Sequence, residues 1–110
     1  MSKDDIRLAN DTFRLHPTLW GRLMITSGVS ALGPAFVAKA IYEVRVFDKF
    51  NNGNDTYHKH DFGAIDVNGH KLFWKIDCYE KGTGYMAGAE HPEDTKTTDR
   101  VLTVMLGSEY

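Results

Sequence analysis

The sequence predicts an α+β fold: a small antiparallel sheet centred on one hairpin and packed against helices, in the order α-β-α-β-β-(β)-α. Three observations predict it. Asn68-Gly69 separates two alternating runs, residues 61–67 and 70–79, and Asn-Gly is the strongest short-range hairpin signal because a type I′ turn needs positive φ at both central residues. Phe36, Val37, Ala40, Ile41, Val44 and Phe47 recur at three- and four-residue steps behind Gly33-Pro34, the pattern of an amphipathic helix with proline at its first position. The length, 110 residues, suits residues 1–110 as a single domain with one core.

Taken in order, residues 2–15 read as the first helix. Ser2 with Asp5 makes a weak capping box, acids fill the first turn, and Ile6, Ala9, Asn10 and Phe13 fall at helical spacing. His16-Pro17 ends it, because a residue before proline disfavours the α region. Residues 19–26 alternate as a strand, with Leu23 and Ile25 toward the core and Trp20, Arg22, Met24 and Thr26 on the other side. Residues 27–30 read as a turn. The long helix from Pro34 packs Phe36, Val37, Ile41 and Val44 against the sheet and ends near 47–50. Residues 51–60, rich in Asn, Gly and Asp, are the longest irregular stretch.

The hairpin register follows from its turn. Val67 faces His70, Asp66 faces Lys71, Ile65 faces Leu72, Ala64 faces Phe73 and Gly63 faces Trp74, where the glycine leaves room for the indole. The core face carries Ile65, Val67, Leu72, Trp74, Ile76 and Cys78; the other carries Phe62, Asp66, Lys71, Phe73, Lys75, Asp77 and Tyr79. Residues 85–89 allow a short further strand. Residues 97–110 fit a buried strand or a helix; Thr97 or Thr98 as N-cap and Gly107 as C′ favour the helix.

Composition narrows the classes. No apolar run approaches the roughly 18 residues of a membrane span, and the charged start lacks a signal-peptide apolar region. The single cysteine, Cys78, makes no internal disulfide, and the expected location is cytoplasmic. Net charge is −2, with 7 Lys/Arg against 5 Asp/Glu in residues 1–50 and 6 against 10 in residues 51–110. An acidic second half argues against direct duplex DNA binding, which runs on clustered Lys and Arg, and permits contact with a basic protein surface.

The strongest binding signal is the outer hairpin face with the acids beyond it: Phe73, Lys75, Asp77, Tyr79, Glu80, Glu90 and Glu93. Aromatics interleaved with lysines, Phe62, Lys71, Phe73, Lys75 and Tyr79, suit stacking of nucleic-acid bases on a sheet or anchoring of a protein interface, and the acidic second half favours protein. Partial cover by the first helix and a merely solvated rim are the plainer readings. The most enzyme-like cluster is His58, His60 and Asp61, since His-x-His on a strand puts both rings on one face. The spacing matches no established metal motif, so no metal and no cofactor are expected. Cys78 faces inward as a small hydrophobe, Ser27 and Ser30 lack a nucleophile elbow, and Gly28 and Gly33-Pro34 precede a helix N-terminus without a phosphate-loop pattern.

Several stretches together carry a family resemblance: Leu23-Met-Ile-Thr-Ser-Gly28-Val29, Phe47-Asp48 with Phe50, Asn54-Asp55, His60-Asp61-Phe62-Gly63, Phe73-Trp74-Lys75-Ile76-Asp77 with Tyr79, and Arg100-Val-Leu-Thr-Val-Met-Leu106. They resemble the bacterial domain-of-unknown-function family 3768. Cys78 stands where Tyr or another residue is expected, and Thr56 where Pro is expected. The resemblance implies no chemistry. It implies a setting, the small cargo of plasmids, prophages and other mobile elements. Proteins of that setting are often stoichiometric inhibitors of host defence, as anti-CRISPR proteins are. The first expectation is therefore a non-enzymatic binder of a host protein complex. The alternative is a small metal-assisted hydrolase or nuclease using His58, His60 and Asp61, and the third is a structural or regulatory dimer.

Overall fold

The computed structural model describes residues 3–55 and 57–110. The elements are α1 (Lys3–Leu15), β1 (Gly21–Ile25), α2 (Ser27–Ser30), α3 (Pro34–Arg45), β2 (Phe62–Val67), β3 (His70–Glu80) and β4 (Thr98–Leu106), followed by a 3-10 turn at Gly107–Glu109. The strands form one sheet in the order β1-β4-β3-β2. The fold is α+β, as the periodicities predict. The capping box proposed on Ser2, and the Thr56 departure from the family pattern, lie outside the described residues.

The hairpin has the predicted register, from Val67 opposite His70 to Gly63 opposite Trp74. Its turn residues, Asn68 and Gly69, have φ of 51° and 85°, the left-handed pair that a type I′ turn requires. Trp74 is fully buried. A Cβ on Gly63 would sit 2.5 Å from the Trp74 Nε1 and 2.9 Å from the Phe47 ring, so glycine is required by packing there.

Residues 97–110 are the main correction. They form a strand, β4, rather than a helix, and it lies in the middle of the sheet, antiparallel to β3 and parallel to β1. The sheet is therefore mixed rather than purely antiparallel. The physical reason is burial on both faces: Leu102 and Val104 point into the core, while Val101 and Met105, on the opposite face, are also buried. Such a strand reads as a continuous apolar run, which periodicity alone cannot separate from a buried helix. Gly107 opens the 3-10 turn instead of closing a helix. Two smaller corrections concern local geometry. Residues 27–30 form a one-turn helix, and the further strand expected at 85–89 shrinks to a single bridge between Tyr79 and Gly88.

The helices all pack on one face. Phe13 of α1, Val29 of α2, and Phe36, Ala40 and Val44 of α3 join Ile65, Val67, Leu72, Trp74, Ile76, Leu102 and Val104 in one core. Ala40 takes the central place expected for Ile41, which is only half-buried, and Val37 sits at the core's edge. Polar contacts fasten α1 to this layer. Arg14 donates from Nη1 to the carbonyls of Val44 (3.0 Å) and Phe47 (2.7 Å), with its guanidinium 5.0 Å from the Trp74 ring centroid. Among the described residues, no helix is long and apolar enough to cross a membrane.

Candidate functional site: the open face of the sheet

Because strand side chains alternate, each strand offers its second set of residues to the face opposite the helices. β1 presents Arg22 and Met24, β4 presents Val101, Thr103 and Met105, and β3 presents Phe73, Lys75, Asp77 and Tyr79. α1, α2 and α3 pack on the opposite face, while the C-terminal turn reaches this one, Tyr110 packing against Phe62 and Phe73.

One end of the face forms a groove of about 310 Å³ across β1, β4 and β3. Its walls are built from paired side chains. Lys75 Nζ lies 3.1 Å from Asp77 Oδ2, and both side chains keep more than a third of their surface, at 43% and 37% exposed. Tyr85 reaches over from the β3–β4 connection and meets Tyr79 edge to face, with 5.7 Å between centroids. The Arg22 guanidinium stacks on Tyr85 at 4.2 Å. Tyr85 has φ of 63°, a left-handed conformation uncommon for a bulky residue; such local strain clusters at sites where a side chain must be aimed.

The seven predicted binding residues do not form one patch. Lys75, Asp77 and Tyr79 line the groove. Phe73 belongs to a separate aromatic cluster with Phe62 (5.4 Å) and Tyr110 (5.0 Å) further along the sheet. Glu80 is occupied locally, its Oε1 accepting from the Glu90 amide at 3.0 Å, which fixes the start of the polar connector. Glu93 lies off the groove, pairs with His91 at 3.3 Å and has only 13% of its side chain exposed. Arg22, Met24, Tyr85 and Thr103 are groove residues that the sequence reading did not select. The alternation of β1 marked Arg22 and Met24 as facing away from the core. What was missing was the placement of β1 beside β4.

The His58, His60 and Asp61 cluster has a different geometry from a His-x-His strand. Both histidines lie before β2 with positive φ, 55° at His58 and 54° at His60. His58 is exposed. His60 is held between two carboxylates: Nδ1 lies 2.8 Å from Asp11 Oδ1 and Nε2 lies 3.4 Å from Asp55 Oδ2. Its ring stacks on Phe50 with 3.7 Å between centroids. The arrangement ties the 51–60 loop to α1, with Asn10 Nδ2 donating to the Lys59 carbonyl beside it. Among the described residues, no group of three His, Cys, Asp or Glu side chains is placed to hold a metal ion.

Asp61 lines a cavity of about 230 Å³ with Cys78, Asn10 and Lys59. Burial pushes the Asp61 carboxyl above its ordinary value and the Cys78 thiol above its own. A thiol shifted upward holds its proton at neutral pH, the opposite of an activated nucleophile. Gly28 lies inside α2 rather than ahead of a helix, and the N-terminus of α2 does meet an anion, the chain's own. Glu109 Oε2 accepts from the Gly28 amide at 3.2 Å, while Oε1 accepts from the Thr26 hydroxyl at 2.7 Å and the Leu106 amide at 2.8 Å. Those bonds, the Thr26 hydroxyl first, hold the Glu109 carboxyl below its ordinary value.

No curated protein and no solved structure is significantly similar to this chain. One family profile matches it, over residues 25–109; the match takes in α2, α3, the hairpin and the central strand and starts at the last residue of β1. The chain therefore belongs to the family described as protein of unknown function DUF3768.

Proposed function

We propose that this protein is a non-enzymatic binding domain that docks a protein partner on the open face of its sheet. The observation that carries the reading is the one-sided layering: three helices cover one face, and the other exposes a groove built from Arg22, Lys75, Asp77, Tyr79 and Tyr85. Tyr and Arg are the residue types that dominate interface energetics, because they offer a large contact area with a polar end. Here two tyrosines brace each other and one arginine, so little side-chain freedom is lost when a partner lands. A mixed-charge groove suits a protein surface better than a nucleic-acid backbone, which selects uniformly basic ones.

The partner we propose is a host defence complex, inhibited stoichiometrically in the manner of an anti-CRISPR protein carried by a phage or plasmid. That part rests on the mobile-element setting implied by the family resemblance and is a family-level analogy. In this reading the protein acts in the cytoplasm and needs no cofactor.

The test is a pull-down from a host lysate with the tagged protein, read by mass spectrometry. Affinity for the captured complex is then measured for Tyr79→Ala, Arg22→Glu and Lys75→Glu. At least a tenfold loss with the melting temperature preserved supports the reading. Unchanged affinity in all three variants overturns the groove as the docking site.

A further inference from the structure

We propose that the free edge of β2 accepts an extended segment of a partner protein carrying Lys or Arg, which adds as a fifth strand. This surface is distinct from the groove across β1, β4 and β3.

The hydrogen-bond phase of the hairpin sets the edge. The Ile76 amide donates to the Asp61 carbonyl at 2.8 Å, so Asp61 and Ile76 form a hydrogen-bonded pair. In an antiparallel ladder such pairs recur at every second residue. Gly63, Ile65 and Val67 therefore spend their backbone groups on β3, and Phe62, Ala64 and Asp66 turn theirs outward. Among the described residues, no backbone or side-chain group pairs with the amides of those three. A row of unpaired N–H and C=O groups is a template for another strand. Proteins usually blunt such edges with lysine, proline or a bulge. β2 has the sequence Phe-Gly-Ala-Ile-Asp-Val and runs in unbroken register, leaving Asp66 as its only charge.

A trough runs beside the edge, which a bare edge would lack. It measures about 470 Å³ and lies between Ala64 and Asp66 on the strand side and the end of α3 on the other. Val46, 48% exposed, gives it an apolar wall. An added strand would put alternate side chains into this space, the arrangement by which strand addition gains specificity beyond its backbone bonds. The rim selects their charge. Glu43, Asp48 and Asp66 line it against a single cation, Lys49. None of the four makes an ion pair among the described residues. An extended segment alternating apolar and basic residues satisfies the edge, the wall and the rim together; an acidic one meets like charge.

The experiment is an amide NMR titration of the intact protein with an end-blocked hexapeptide of alternating valine and lysine. Shifts concentrated at Phe62, Ala64, Asp66 and Val46 support the proposal. So does at least a tenfold weakening when every peptide amide is N-methylated, or when glutamate replaces lysine at low salt. Ala64→Pro should abolish binding while the fold survives, because the amide it removes points away from β3. Glu43→Lys with Asp66→Lys should reverse the charge preference without touching the backbone edge. Tyr79→Ala should leave the titration unchanged, which separates this site from the proposed docking groove. Shifts centred on Lys75 and Tyr79, insensitivity to N-methylation, or no binding by any of these peptides would overturn the proposal. A dimer by sedimentation that Ala64→Pro dissociates would also overturn it, assigning the edge to a second copy of this chain.

Discussion

Arg100 Nε donates to Asn10 Oδ1 at 2.9 Å, joining the central strand to the first helix across 90 positions of sequence. Both side chains are buried, Arg100 fully, and burial pulls the guanidinium below its ordinary value. Arg100 also donates from Nη2 to the Pro92 carbonyl. A planar fork reaches two acceptors that a single ammonium cannot. Asn10→Ala should therefore cost about 1.5–3 kcal/mol, the range for a lost hydrogen bond to a charged group. Arg100→Lys should not rescue the contact to Pro92. Urea unfolding of the two variants checks both.

Trp74→Ala should cost about 3–5 kcal/mol, the range for a buried large aromatic replaced by alanine. Gly63→Ala should cost about 1–3 kcal/mol by overpacking, since its new methyl would press on the indole. The two substitutions are in contact, so the double variant should be more stable than the sum of the single losses implies. Chemical denaturation of all three gives the answer.

Glu109 gives the protein an acid-sensitive clasp between its C-terminal turn and α2. Its folded value lies below the ordinary 4.5, so its contribution is complete above that pH and is lost as pH falls through the folded value. Asp61 works in the opposite sense. Burial raises it from 3.8, so the folded state loses stability as pH rises from 3.8 through the folded value. Glu109→Gln should melt below the wild type at pH 7, with the difference shrinking below about pH 4.5 as the wild-type carboxyl protonates. Asp61→Asn should gain relative stability over the same upward pH range. Thermal melts from pH 3 to pH 7 test the two signs independently.

Cys78 should alkylate slowly. Its thiol is half-buried and shifted above 9.0, so the thiolate fraction at pH 8 is smaller than for a free cysteine. We expect iodoacetamide to react at least about tenfold more slowly than with a cysteine-containing model peptide, with the rate climbing steeply above pH 9. A rate matching the model peptide would count against a protected thiol.

The hydrolase alternative makes its own demand on His60. Both ring nitrogens face carboxylates, so a metal would have to displace Asp11 or Asp55. Elemental analysis of the purified protein should find no stoichiometric zinc or manganese. About one metal per chain, lost in His60→Ala, would favour the hydrolase reading.

The hairpin was legible because its information is local. Two residues fix the turn, and the turn fixes every partner from Val67–His70 outward. α3 was legible for the same reason, with Pro34 at its start and an apolar stripe along it. β4 was not. Its helix-favouring signs at Thr98 and Gly107 are local, whereas its strand state comes from neighbours on both sides. The groove shared that fate: Lys75, Asp77 and Tyr79 follow from the hairpin register, but Arg22 and Tyr85 join them only through the pairing of β1 with β4 and the left-handed turn at Tyr85. His60 was visible as a polar cluster, while its partner Asp11 sits in a helix 49 positions away.

β4, the last strand among the described residues, is an inner strand of the sheet, and this sets the timetable of synthesis. The β2–β3 hairpin can close as soon as it leaves the ribosome, but β1 has nothing to pair with until residues 100–104 emerge. Until then β1 and the inner edge of β3 stay unsatisfied, and the helices lack Leu102 and Val104 to pack on. Pairing the first strand with the last closes a long loop, which slows folding. A ribosome stalled before Thr98 would therefore hold a hairpin and nascent helices without a sheet, a product for proteases rather than a partly active protein.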